Sequence, residues 1–209
     1  MTDISRQPLQ DLLEALASES PTPGGGTAAA VAGAMGAALA GMVVTLTLSR
    51  EKYAAVHDAV RPMAEAAAAG RIELLALARR DAEAYDGVVA ARRLPRDTEE
   101  QKAARALAAA EATRHAAEVP METARLAVRL LEMLPELVEK GNPNAASDAG
   151  AAALLLEAAT EAALLNVGVN LSGAGDPEFV SRMQRETADI QVEAQRLRSH
   201  VLAAVRKRF

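Results

Sequence analysis

The sequence predicts an all-α fold, a single-domain bundle of long helices around a central alanine- and glycine-rich helix. Three observations carry this. First, no window alternates apolar and polar residues between turn signals, and the one β-prone run, Val43-Val44-Thr45-Leu46-Thr47-Leu48, sits inside a helical pattern. Second, Thr27 to Leu48 is an uncharged run of Ala, Gly, Val, Leu and Met behind the turn Ser20-Pro21-Thr22-Pro23-Gly24-Gly25-Gly26, whose prolines and glycines cannot continue a helix. Third, helix start and stop signals recur along the chain at long intervals.

The first helix takes Pro8 near its start and runs to about Ala17, with Leu9, Leu12, Leu13 and Leu16 on one face. In the central helix Ala29, Gly33, Ala37 and Gly41 recur four apart, so another backbone can approach that face closely. Its length and lack of charge also suit a membrane span. Alanine and glycine supply little lipid-transfer energy, however, and the following helix is heavily charged, so the soluble reading is preferred. Ser49-Arg50-Glu51-Lys52-Tyr53 restores charge, and a long helix follows from about Ala55 to Leu94, ended by Leu94-Pro95-Arg96-Asp97.

Thr98-Glu99-Glu100-Gln101 has capping-box spacing and opens the next helix, which Pro120 is expected to break or kink. Apolar periodicity continues from Met121 to Val138 and stops at Gly141, a candidate for the residue just past a helix end. Asn142-Pro143 is a second start signal, for a helix reaching about Leu171. Ser172-Gly173-Ala174-Gly175 is a turn, and Asp176-Pro177 begins a last amphipathic helix. Its basic end, Arg196, Arg198, Arg206, Lys207 and Arg208, suits a helix C-terminus.

The 209 residues fit one domain, residues 1–209, with a sizeable core, and dimerisation would bury more surface. Aromatic residues make up 2%, so the core must pack helices closely. The absence of cysteine excludes disulfides, thiolate catalysis and Cys-based metal sites. Met1 to Arg6 shows no apolar leader, which makes the cytosol the default compartment. A net charge of −5 without a basic block excludes an electrostatic footprint for nucleic acid.

Three constellations could carry chemistry. Gly24, Gly25 and Gly26 at a helix N-terminus suit either an anion site or a tight turn that allows close packing. The run Gly141-Asn142-Pro143-Asn144-Ala145-Ala146-Ser147-Asp148-Ala149-Gly150 is followed by Asn166 and Asn170 in apolar sequence. Asn144 and Asp148 are one turn apart, and Asp148 and Asn166 are five turns apart on the same face. Buried, each needs a partner in protein, water or ligand. On the long helix Asp81 and Tyr85 set a base beside a hydroxyl, and Lys52 could hold an anionic tail. His57, His115 and His200 are scattered, which disfavours a histidine metal site, and Ser147-Asp148 lacks a histidine for a triad.

With these motifs in this order, from Ser20 to Leu171, the chain resembles the formiminotransferase-cyclodeaminase C-terminal family, which includes stand-alone methenyltetrahydrofolate cyclohydrolases. Lys52-Tyr53, Asp81-Ala82-Glu83-Ala84-Tyr85 with Leu94-Pro95, the Gly141 to Gly150 run, Asn166-Val167 and Asn170-Leu171 share in the match. Thr27 departs from the family's usual serine but keeps the hydroxyl. The resemblance implies an all-helical, dimer-forming enzyme acting on the one-carbon bridge between N5 and N10 of tetrahydrofolate. It needs a proton-shuttling carboxylate, Asp148 or Asp81, and no metal or redox cofactor. Tyr85 and Asn144 would orient substrate or water, Gly24 to Gly26 would approach the folate, Asn166 would bind substrate and Lys52 would favour its glutamate tail. The expected activity is the cyclohydrolase, since no transferase precedes the domain. The alternatives are the ammonia-releasing cyclodeaminase and a non-catalytic folate-binding helical dimer.

Overall fold

The computed structural model describes residues 7–208, so Met1 to Arg6, scanned above for a leader, lie outside it. Seven α-helices fill the described residues: α1 (Leu9–Leu16), α2 (Gly25–Leu48), α3 (His57–Arg92), α4 (Glu99–Glu132), α5 (Leu134–Lys140), α6 (Ala146–Leu171) and α7 (Pro177–Arg206). No strand occurs among them. The bundle is organised on α2, which lies against α3 on one side and α6 on another, while α4 packs on α3 and α6 and α7 closes over α4 and α6.

Glycines let α2 sit this close. A Cβ on Gly36 would lie 2.8 Å from Leu156 Cγ and 3.1 Å from the Ala152 carbonyl oxygen of α6. Gly33 is pressed between Leu74 of α3 and Ala159 of α6. The small-residue face therefore serves two neighbours inside one chain, with Ala29 and Ala37 also buried.

The local signals at helix ends are realised. Thr98 accepts from the Gln101 N–H, and the Gln101 side chain accepts from the Thr98 N–H, closing the capping box. Asp176 Oδ1 accepts from the N–H groups of Glu178 and Phe179 at 3.0 and 3.1 Å. Asn142 Oδ1 caps the 3-10 turn Pro143–Ala145 that leads into α6. A second 3-10 turn, Glu51–Val56, precedes α3, so that helix starts at His57 rather than near Ala55.

Several expectations are corrected. Pro120 does not break its helix, because α4 runs through it from Glu99 to Glu132. Proline removes the N–H that would bond the carbonyl four residues earlier, Ala116, and Asn170 Nδ2 donates to that carbonyl instead at 2.7 Å. The apolar run from Met121 to Val138 is not one helix, since α4 stops at Glu132 and α5 starts at Leu134. Gly141 has extended backbone (φ −74°, ψ 179°) and is needed for space, since a Cβ would collide with the Leu137 carbonyl. The basic end complements helix C-termini as expected: the Arg208 guanidinium donates to the carbonyls of Val138 and Glu139 at the end of α5, and Arg206 lies in the last turn of α7. Of the first helix's leucines only Leu12 is buried, while Leu9 and Leu13 stand exposed.

Two helical segments, Gly25–Leu48 and Pro143–Leu171, are long and apolar enough to cross a membrane, and about half of each is buried inside the bundle. The other half of each forms an outward stripe. On α2 it carries Val31, Met35, Met42 and Leu46, and on α6 Leu154, Leu165 and Val169, the last two 73% and 75% exposed. A helix that is apolar all round is normally enclosed, so these stripes form an uncovered apolar face.

Candidate active site

The N-terminus of α2 has no side-chain cap of its own: Gly24 is the N-cap, extended at φ −130° and ψ −155°. The anion there comes from α3. Thr27 Oγ1 donates to Asp81 Oδ2 at 3.0 Å, and the Thr27 N–H also bonds the Asp81 carboxylate. The carboxylate occupies the space a Cβ on Gly26 would need, which explains the glycine at that position. The N-terminal N–H groups and the dipole of α2 thus receive the chain's own Asp81.

Burial sets the protonation of this carboxyl. Desolvation pushes Asp81 up from the ordinary carboxylate value, and the hydrogen bonds from the Thr27 hydroxyl and N–H pull it part of the way back. An acid whose pKa is raised toward the working pH can both take and return a proton. Tyr85 lies one turn further along α3 and is 40% exposed. Asn166 reaches the same end from α6, where a Cβ on Gly25 would lie 3.2 Å from its Nδ2. That Nδ2 donates to Ala162 at 2.8 Å.

A second polar cluster stands at the other end of α2. Tyr53 donates its phenol proton to Asn142 Oδ1 at 3.1 Å, and the Asn142 N–H donates to Thr47 Oγ1 at 2.9 Å. The Lys52 ammonium lies 4.8 Å from the Tyr53 ring centroid. Asn144 is exposed, and Asp148 is half-buried in the first turn of α6.

The residues singled out from the sequence therefore divide. Gly24, Gly25, Gly26, Asp81, Tyr85 and Asn166 gather at the start of α2, whereas Lys52, Asn144 and Asp148 gather near its end. The helices α2 and α6 run antiparallel, with Gly25 against Asn166, Gly33 against Ala159 and Gly36 against Leu156. Continuing that register puts Asp148 level with Val44, roughly 27 Å from Asp81 at 1.5 Å rise per residue. One chain does not bring both carboxylates to one carbon atom. Asn170 belongs to neither cluster, because its amide is spent on the Ala116 carbonyl.

Sequence reasoning missed Thr27 as the group that holds Asp81. The available signal was its hydroxyl at the first turn of a helix whose N-cap is glycine. It also missed the pairing of Thr47 and Tyr53 with Asn142, which no spacing reveals. Among the described residues no three His, Cys, Asp or Glu side chains converge on a common point.

The family model described as formiminotransferase-cyclodeaminase matches residues 8–189. The chain belongs to the formiminotransferase-cyclodeaminase family. It is similar to the methenyltetrahydrofolate cyclohydrolase of Methylorubrum extorquens, 38% identical over 200 residues, with 96% of each chain covered. It is also similar to the formimidoyltransferase-cyclodeaminase of Sus scrofa, 34% identical over 91% of this chain but only 35% of that longer protein. Its fold matches the crystal structure of formiminotetrahydrofolate cyclodeaminase from Thermotoga maritima with a TM-score of 0.88 and 31% identity, covering 98% of each chain.

Proposed function

We propose that this family member is a methenyltetrahydrofolate cyclohydrolase that opens 5,10-methenyltetrahydrofolate to 10-formyltetrahydrofolate. The observation that carries the chemistry is Asp81, a half-buried carboxyl raised in pKa by desolvation and held by Thr27 at the N-terminus of α2. Of the relatives above, the one with the higher identity over a coextensive chain is a cyclohydrolase.

In this mechanism the Asp81 carboxylate takes a proton from a water molecule as its oxygen bonds to the amidinium carbon between N5 and N10. The tetrahedral adduct is neutral. It then loses its hydroxyl proton as the carbon–N5 bond breaks, and N5 receives the proton carried by Asp81, so one proton is released overall. The buried negative charge also stabilises the cationic substrate. Because the substrate carbon is already electrophilic, the reaction calls for no metal and no redox cofactor. Tyr85 orients the water or the pterin from the exposed side, Gly24 and Gly25 admit the folate close to the backbone, and Asn166 presents an amide carbonyl.

The Thermotoga relative supports a second reading, closure of 5-formiminotetrahydrofolate with loss of ammonia, in which Asp81 protonates the departing amine. Assaying both substrates in parallel, with chelator present, decides between them. The expected result is rapid loss of methenyl absorbance and far slower methenyl formation from the formimino substrate. The reverse ratio would establish the cyclodeaminase, and no turnover of either would leave a folate-binding protein.

The uncovered faces of α2 and α6 support a homodimer. A soluble, cytoplasmic protein fits best, since α3 lies along α2 and would carry Arg71, Glu73 and Arg80 to the same membrane depth.

A further inference from the structure

Asn166 meets the glycine turn with one end of its amide already committed. Its Nδ2 donates to the Ala162 carbonyl at 2.8 Å, one turn back along α6. A carbonyl oxygen only accepts, so the atom that bonds it is the nitrogen, and the orientation of the amide follows. Among the described residues no group donates to Asn166 Oδ1, and that oxygen is not enclosed by protein. It is an open acceptor beside the turn.

We infer that Asn166 reads the oxidation state of the pterin: its Oδ1 accepts the N8–H that a tetrahydropterin carries and that the fully oxidised ring lacks. This deepens the folate reading above and rests on it.

The place of the amide carries the inference. Gly25 and Gly26 are consecutive, and their missing side chains open toward two different helices. A Cβ on Gly26 would fall among the atoms of the Asp81 carboxyl, whereas one on Gly25 would lie 3.2 Å from Asn166 Nδ2 and 3.7 Å from its Oδ1. Neighbouring Cα atoms are about 3.8 Å apart, so the carboxyl and the amide stand within about 12 Å of each other at the start of α2. A hydrogen bond of about 3 Å at each end leaves room for roughly one ring between them. In 5,10-methenyltetrahydrofolate N5 has no hydrogen, because it is bonded to the reacting carbon, and N8 lies directly across the ring from N5. The N8–H is therefore the N–H donor nearest that carbon. A ring whose bridge carbon lies at Asp81 offers this donor to α6.

Discrimination comes from the fixed amide. A fully oxidised pterin has a lone pair at N8 where the reduced ring has a hydrogen, and two acceptors set face to face form no bond and repel. Turning the amide over would break its bond to Ala162 and set Oδ1 against that carbonyl. The neighbouring polar groups do not discriminate. The Tyr85 hydroxyl can both donate and accept, and the Thr27 hydroxyl is engaged with Asp81. Glycine at position 25 keeps the amide uncovered, since a side chain there would press on it.

The test compares tetrahydrofolate with 8-deazatetrahydrofolate, in which a methylene replaces the N8–H, and with folic acid. Titration calorimetry on the wild type, Asn166→Leu and Asn166→Asp measures each affinity. The wild type is expected to prefer tetrahydrofolate over the deaza compound by about 10–100-fold, the range for leaving one polar partner unmatched, and to bind folic acid no better than the deaza compound. Asn166→Leu should bring the preference close to one by weakening tetrahydrofolate alone. Asn166→Asp keeps an acceptor oxygen and should retain the preference. In turnover the loss in Asn166→Leu should fall on KM, because the same bond is made in the bound substrate and in the transition state. Equal binding of the two reduced compounds by the wild type overturns the inference, as does tight binding of folic acid or an aspartate variant without preference. So does a leucine variant that loses both reduced compounds in parallel, which is what a merely structural role predicts. If the wild type neither binds tetrahydrofolate nor turns over methenyltetrahydrofolate, the folate reading itself fails and the inference falls with it.

Discussion

Asn170 donates its amide to the one carbonyl that Pro120 leaves without a partner, that of Ala116, at 2.7 Å. A proline in mid-helix would ordinarily cost about 3 kcal/mol, partly because a buried acceptor loses its donor. Here a side chain from α6 takes over, and the same bond ties α4 to α6. Asn170→Ala should therefore destabilise the protein by about 1–3 kcal/mol, as expected for an unsatisfied buried acceptor. Pro120→Ala in the same chain restores the helical N–H and should recover part of that loss. Denaturant unfolding of the single and double variants measures the coupling, and strictly additive effects would disprove the substitution of one donor by the other.

Asp81→Asn should lower turnover by about 10²–10⁴-fold without lowering stability. Because burial raises the folded pKa of this group, the native chain holds the proton to higher pH than the unfolded chain does. Between those two values the native state binds more protons, so wild-type stability falls as pH rises through the folded pKa. The asparagine variant lacks that loss. Its melting temperature should match the wild type in acid and equal or exceed it at neutral pH.

Thr27→Val removes the hydroxyl that stabilises the Asp81 carboxylate and leaves the backbone N–H in place. The acid limb of the rate profile should move to higher pH, while Thr27→Ser should leave it where it is. A valine variant whose limb does not shift would show that the hydroxyl plays no part in setting the proton affinity of Asp81.

Two glycines should respond oppositely to alanine. At Gly36 the new methyl meets Leu156 and the Ala152 carbonyl, so Gly36→Ala should cost about 1–3 kcal/mol through overpacking. At Gly87 nothing lies within 4 Å of the new Cβ, and Gly87→Ala should stabilise α3 by about 0.5–1 kcal/mol through the helix propensity it gains. Thermal unfolding of both variants checks the signs.

Where a feature depends on neighbours in sequence, the sequence reveals it. The Thr98 capping box, the Asn142 and Asp176 caps and the apolar length of α2 are all local, and all are found. What Pro120 does is decided by Asn170, fifty residues away, and no local rule could supply that donor. The requirement for glycine at position 26 likewise comes from Asp81 on another helix. For the polar residues of α6, the shared face was legible but its meaning was not. Five turns is a long way, so residues aligned on one face can still serve opposite ends of a molecule.

The core is built largely of alanine, from Ala29 and Ala30 through Ala124 and Ala127 to Ala159 and Ala163. Alanine has no rotamers to freeze, so ordering this interior costs little beyond the backbone itself. It also has none to change. A core of leucine and methionine absorbs an added methyl by turning a side chain, whereas here an inserted methyl can be accommodated only by moving a helix. Mutational tolerance should therefore be lopsided, with gains in volume at buried alanines harming the fold more than losses of volume at the scattered leucines. Because α2 carries polar clusters at both ends, a helix shifted by one such methyl would misplace both together.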